Sequence, residues 1–407
     1  GSNTAVGKGS LGANTTASNN TAVGYNSMVA NTTGSLNVAV GTLALDANTT
    51  AANNTAIGYT SLGANTTGSE NTSVGSYSLE ANTTAANNTA VGYGTLNANT
   101  TGARNTAIGK SALVANTTAS SNTALGGLAL QANTTGSVNT AVGDATLYTN
   151  TTGSNNVACG QGALYANTTA NNNTGIGYSA LTANTTGTFN VAVGAFALDD
   201  NSDGQQNTGV GYNALSANTT GGSVTAFGSL ALDANTTANY NTAVGASALS
   251  AITTGVESVA VGSSALVSAT GSSNVALGHK AGENVTTGTN NVLLGKETGR
   301  TGAPGGNITT GDNSVCIGNA NIASANIQVD WTIASDKRDK TDVSPLDLGL
   351  DFINQLEPVT YRWDKRSKYS NDQSVTPDGT HKEEQLEGGF LAQDVEEIEN
   401  QYGYKTD

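Results

Sequence analysis

The sequence predicts an all-β protein, built mainly as a parallel β-solenoid shaft of about 19 coils and followed by a small α+β domain. Three observations predict it: a 17-residue period through most of the chain, columns that admit only one or two side-chain types, and an abrupt change of composition near residue 330. Self-similarity over hundreds of residues marks a solenoid, because one such unit can bury its apolar face only against its neighbours.

The period is counted from a glycine in the phrase Asn-Thr-Ala-Val-Gly, which falls at Gly7, Gly24, Gly41, Gly58 and onward to Gly262 at intervals of 17. The next anchors are Gly278, Gly295 and Gly318, the last after an insertion that contains Pro304. The residue before the anchor is Val6, Val23, Val40, Ile57 and so on, and Leu11, Met28, Leu45 and Leu62 begin a column four residues after it. Two residues before the Val column, Thr alternates with Val (Thr4, Thr21, Val38). This alternation of β-branched residues is strand periodicity. Glycine in every unit and Asn-Thr-Thr in most exclude helix.

Each unit is therefore expected to hold two short strands, with Val and Leu pointing inward and Asn-Thr-Thr-Gly at the corner. The unvaried anchor glycine calls for a positive φ or a close backbone approach. The asparagines that open the units (Asn3, Asn20, Asn37) are expected to stack as an amide ladder. Between the Val and Thr columns stands a small residue: Ala5, Ala22, Ala39, with Ser73, Gly175 and Gly209 as variants. It is expected to face away from the coil and press on neighbouring chains, which favours a homo-oligomer about a common axis. At about 4.8 Å per coil the rod would be roughly 90 Å long.

Composition removes several classes of function. Net charge is −15, against nucleic acid, whose phosphates require Lys and Arg. No apolar run approaches the roughly 20 residues that span a bilayer, so no membrane insertion is expected. Cys159 and Cys316 each fill a small or apolar slot and are read as packed thiols rather than a disulfide. With only His279 and His381, in different domains, a His-based triad is excluded. Asp199-Asp200-Asn201-Ser202-Asp203-Gly204 imitates the start of a calcium loop, but Val210 stands where a bidentate Glu is needed, and the segment occupies the usual corner slot. No metal or cofactor is expected. Asn14-Thr15-Thr16 and its copies are sequons, read first as stacked turns and, in a eukaryotic host, as sugar acceptors along one edge. Residue 1 already lies inside a repeat, so the chain is expected to continue before it.

The organisation read from the chain is shaft 1–318, transition 319–334 and a separate domain 335–407. Residues 1–334 hold 19 charged side chains and residues 335–407 hold 26, with three of the four prolines. Ser344-Pro345 reads as a helix start, and Leu346, Leu350, Ile353 and Leu356 as a helical stripe. Val359 to Trp363 and Gly389 to Ala392 read as strands, and Gln393 to Asn400 as a helix.

These residues carry two resemblances. The apolar-Ala-apolar-Gly strand of the repeat resembles the left-handed β-roll heads of trimeric autotransporter adhesins and, more closely, repeat arrays of phage and bacterial tail-fibre-like proteins. The tail resembles the C-terminal intramolecular chaperone of phage tail fibres and tailspikes, including endosialidases, through four segments in order: Ser335 to Lys340, Leu346 to Leu356, Pro358 to Trp363 and Gly389 to Val395. The family usually continues into long helices, so the domain is expected to be truncated at Asp407. The resemblance implies a domain that registers three chains, drives trimerisation and then cuts itself off.

It also implies a Ser-Lys dyad of Ser335 and Lys340 and a cleavage site between Ala334 and Ser335. A serine hydroxyl needs a base, and a lysine of depressed pKa can serve. The function expected is a trimeric fibre shaft of a virus tail fibre or related extracellular filament, with itself as partner and a host surface glycan or receptor as target. Two alternatives stand beside it. One is a bacterial surface adhesin of the same roll. The other is an ice-binding solenoid, disfavoured because the Thr residues sit at corners rather than on a Thr-x-Thr strand face.

Overall fold

The computed structural model describes residues 1–303, 305–322, 349–364, 376, 378–382 and 384–402. It forms two compact units, Gly1–Asn321 and Ile322–Asp407. The first is the solenoid. Nineteen three-residue strands, β1 (Thr4–Val6) to β19 (Val315–Ile317), pair in parallel into one sheet in chain order, with Thr4 opposite Thr21 and Val38 opposite Thr55.

Each coil has one strand rather than the expected two. Numbering the unit from its first Asn (Asn37 as position 1), the strand takes positions 2 to 4 and the anchor glycine position 5. Positions 7, 9 and 17 are left-handed: φ is +57° at Leu43, +54° at Leu45 and +61° at Asn53. These reversals turn successive amides toward alternate neighbouring coils. Gly41 and Leu43 donate back to Val23 O and Tyr25 O, while Leu45 and Ala47 donate forward to Ser61 O and Gly63 O, all at 2.8–3.1 Å. A left-handed conformation disfavours an L-residue by about 1–2 kcal/mol. Full burial of a leucine contributes about 1.5–3 kcal/mol, so the buried Leu45 more than offsets it.

The interior corrects the predicted facing of the strand. The Leu column points inward as expected and is fully buried from Leu45 to Leu266. The Ala column, expected on the outside, is inside: Ala22, Ala39, Ala107 and Ala260 are 0% exposed. The Val column, expected inside, points out, with Val6 58%, Ile108 43% and Phe227 56% exposed. The reason is thickness. A Cβ built on Gly175 would already lie 3.3 Å from Leu164 Cγ, so a strand residue facing the Leu wall has room for a methyl group and little more. The exception follows the same rule. Leu293 takes the Ala position where Gly282 and Gly299 replace Leu, and Cβ atoms built on those glycines would lie 2.9 and 2.7 Å from its methyls. Volume is conserved by exchanging large and small across the core.

Two asparagine rows complete the interior. Asn20 Oδ1 accepts the backbone N–H of Asn37 in the next coil at 2.9 Å, and Asn37 Nδ2 crosses its own coil to Ala51 O at 2.9 Å. The second row is the amide-to-amide ladder: Asn48 Nδ2 donates to Asn31 Oδ1 at 2.7 Å and to the same Ala51 O at 3.1 Å. This row is the sequon asparagine, 0% exposed from Asn31 to Asn235. An amide nitrogen carrying a sugar could not occupy it.

The anchor glycine meets both expected requirements. At Gly58 φ is +134°, and a Cβ there would lie 2.6 Å from the carbonyl oxygen of Gly75 in the next coil. Gly58→Ala should combine backbone strain of about 1–3 kcal/mol with a backbone clash, and local stability should fall by at least that much. Because coils contact only their neighbours, hydrogen exchange should rise around β4 (Thr55–Ile57) and stay unchanged near β15 (Thr242–Val244). Uniform protection would contradict the assigned role. Leu113→Asp, which buries an unpaired charge, should unfold the coils around it.

Candidate functional site

A function for such a rod resides on its surface and in its C-terminal unit. Positions 2 and 4 of the strand form one outward face along all 19 coils. Position 4 is Val, Ile, Leu, Phe or Cys in every coil, position 2 is Thr or Val, and no charged residue occurs at either. The charges sort elsewhere. Lys8, Lys110 and Asp144 lie at position 6, Asp46, Glu80, Asp199 and Asp233 at position 10, and Glu70, Arg104 and Glu257 at position 17. Cys159 is in the outward row and exposed, not packed in the interior as expected, whereas Cys316 is buried in the Ala row and burial raises its thiol pKa. Both are free thiols.

The corner after the anchor glycine also carries aromatic rings that the column analysis missed. Tyr59, Tyr77 and Tyr93 pack edge to face with centroids 5.3 and 5.7 Å apart, and Tyr178, Phe196 and Tyr212 repeat the arrangement; away from this corner, at position 10, Tyr148 stacks on Tyr165 at 4.9 Å. The signal was available as aromatics recurring one or two places after the anchor.

The calcium-loop imitation at Asp199–Gly204 is a substituted corner. Asn201 Nδ2 donates to Gly204 O at 3.1 Å and to Asn184 Oδ1 at 3.0 Å, as its equivalents do in other coils. Asp199 itself is unusual. Burial, then the nearby Asp200 charge, raises its carboxyl pKa to about 6, and Asp199 Oδ1 is buried without a hydrogen-bond partner. Asp46 and Asp233, in the same column, are raised by burial as well.

In the C-terminal unit a helix α1 (Gly349–Ile353) is followed by an antiparallel pair, β20 (Val359–Tyr361) with β21 (Glu387–Gly389), and by α2 (Ala392–Gln401). The second strand ends before Phe390, earlier than expected. Phe352 packs edge to face on Tyr402 at 5.8 Å, and Gln355 Nε2 donates to Tyr402 Oη at 2.6 Å, tying α1 to the end of α2. Trp363 Nε1 donates to Glu387 Oε2 at 3.1 Å across the hairpin. Among the described residues Phe352 is the only buried apolar side chain of this unit, while Leu350 is 75% and Leu386 57% exposed. The expected dyad Ser335 and Lys340, the scissile pair Ala334-Ser335 and the helix start Ser344-Pro345 lie outside the described residues. His279 belongs to the shaft and His381 to the C-terminal unit. Among the described residues no helix is long and apolar enough to cross a membrane.

Residues 335–404 match the profile of the family described as chaperone of endosialidase. No curated protein matches the chain. The chain is thus a repetitive β-solenoid that leads into a chaperone-of-endosialidase domain.

The Asp199 environment has a measurable consequence. Its folded pKa lies above the ordinary value of 3.8, so the stability it contributes is fully present below about pH 4 and is lost as pH rises through about 6. The side chain is partly in water, so the effect should be about 1 kcal/mol or less. Asp199→Asn should raise the melting temperature at pH 7.5 and leave it unchanged at pH 4. An equal shift at both pH values would refute this assignment.

Proposed function

We propose that the chain forms the shaft and chaperone of a homotrimeric fibre, a virus tail fibre or related extracellular filament used to attach to a host or other surface. The observation that carries this reading is the outward strand face. Its length of about 90 Å and width of about 10 Å give roughly 900 Å² of uncharged surface per chain. Monomers rarely expose apolar patches above about 300–600 Å², and a standard interface uses about 800 Å² per partner. The occupant that fits a repeating, uncharged face with a continuous apolar row is another copy of the same repeat. The family match of residues 335–404 supports the same arrangement. The contact row proposed is therefore Val40, Ile108, Val142 and their equivalents, in place of the Ala column.

The chaperone domain would set the three chains in register and then separate. In the proposed step Ser335 Oγ attacks the Ala334 carbonyl carbon and Lys340 takes the hydroxyl proton. The amide C–N bond breaks as the ester forms, and the proton passes to the departing amine of Ser335. Water then hydrolyses the ester. Assembly that buries Lys340 would lower its pKa and switch the step on.

An ice-binding solenoid is the second reading, because the strand face presents an outward Thr row (Thr4, Thr21, Thr55), although these strands read Thr-x-Val or Thr-x-Ile and not Thr-x-Thr. The fibre reading predicts no thermal hysteresis.

Light scattering on the purified chain should give a mass of three chains. Ile108→Glu with Val142→Glu should release monomers while the β circular-dichroism signal persists, since each buries a charge only in the assembly. A wild type that stays monomeric at micromolar concentration refutes the trimer. In the assembled chain, mass spectrometry should find division at Ala334-Ser335, abolished by Ser335→Ala and by Lys340→Ala with trimers intact. Cleavage that persists in Ser335→Ala assigns the cut to an outside protease.

A further inference from the structure

The aromatic corner contains a groove that the repeat does not need. Position 7 follows the anchor by two residues and holds Leu43, Thr60, Tyr77, Gly94 and Ser111 in successive coils. At Gly94 this column has no side chain. A Cβ built there would meet only Ser111 Oγ, at 3.9 Å, so packing does not demand glycine. Nor does conformation, because Leu43, Leu128 and Leu230 hold the same place with φ of +57°, +59° and +57° against +62° for Gly94. Gly94 thus leaves a gap between the coils above and below. Tyr77 and Tyr93 line it on one side, and Glu80 and Asn97 line it as well.

The polar groups are arranged for more than solubility. Both hydrogens of Asn97 Nδ2 are used, to Tyr77 O at 3.1 Å and to Glu80 Oε2 at 2.8 Å. This fixes the amide and leaves Asn97 Oδ1 and Glu80 Oε1 as acceptors. The phenols of Tyr77 and Tyr93 and the Ser111 hydroxyl can donate. The edge-to-face packing of Tyr59, Tyr77 and Tyr93 holds the rings in place before any ligand arrives, so little side-chain entropy remains to be lost on binding. A few oriented polar groups beside aromatic surface in a concave site are the composition of a small-ligand site.

We propose that this groove is a binding subsite for a neutral pyranose unit of an oligosaccharide lying against the side of the shaft. A pyranose ring offers an apolar C–H face to an aromatic ring and adjacent hydroxyls that both donate and accept. The groove supplies both kinds of partner. A bare cation would use the acceptors and leave the donors idle, and in so open a groove an ion pair is weak. The site stays in water in the proposed trimer, because positions 6, 7 and 10 are where the shaft keeps its charges (Lys110, Lys280, Glu80). The inference rests on the attachment reading and names a ligand class and a place for it. Each chain holds one such site, so three in parallel would raise a weak affinity by avidity.

The test uses the intact chain on an array of immobilised neutral oligosaccharides built from glucose, galactose, mannose and N-acetylhexosamine units, with saturation-transfer NMR on those captured. Tyr93→Ala removes a ring and Gly94→Leu fills the gap with a residue the column already tolerates. Both should lower affinity at least tenfold with the melting temperature and trimer mass unchanged, and Tyr93→Phe should retain most of it. Tetramethylammonium chloride should not compete. Saccharide capture that is unchanged in both variants overturns the groove and leaves glycan attachment standing elsewhere on the rod. Competition by tetramethylammonium reassigns the groove to a cation and overturns the proposal. Capture of no saccharide by the wild type overturns the groove and leaves attachment through acidic glycans or a protein receptor standing.

Discussion

Each coil closes on itself in 17 residues, and that short circuit leaves an interior one side-chain layer thick. Most of the molecule follows from this. Where a leucine from one wall fills the layer, the facing strand residue is alanine, serine or glycine, and Leu293 takes that place only where Gly282 and Gly299 stand in the Leu column. Larger β-branched residues of the same strand can only go outside. The polar groups that the tight corners would strand inside are met by two asparagine rows that share one carbonyl acceptor per coil, Ala51 O in the coil of Asn37 and Asn48. Since a buried amide without a partner disfavours folding by a few kcal/mol, these rows are as necessary to the core as the leucines.

The same thinness decides where the protein is sticky. A globular domain hides its large apolar side chains and shows its small ones. Here the order is reversed, and the valine and isoleucine row is displaced to the surface as a continuous uncharged band. The proposed trimer would cover that band.

Much of the fold is legible in the sequence because a solenoid writes one residue type per place many times over. The period, the inward leucines, the anchor glycine and the parallel register come from that redundancy. The facing of Ala and Val does not, because alternation identifies two faces without saying which is inner, and the general preference for large apolar interiors points the wrong way in so thin a coil. The charge map held the answer: positions 2 and 4 never carry a charge, yet they flank a residue that is small in every coil but that of Leu293. The single strand per coil was hidden because leucines at +50° to +60° have no local signature. Ser335 and Lys340 are legible only through family resemblance, since serine and lysine five residues apart are common on any surface. The tyrosine corner was visible as scattered aromatics and was obscured by attention to the columns that do not vary.

The edge-to-edge sameness of the coils has a further consequence for inheritance. Asn37 meets Asn20 and Asn54 through the same bonds, so a cut after one 17-residue coil and a join to another restores the asparagine and backbone bonds between them. Loss or duplication of one unit would change the reach of the rod by about 4.8 Å and leave both of its ends as they were. Length is thereby a quantity that selection can adjust in whole steps, independently of what the rod carries or how it is assembled, much as a chain is shortened by removing links.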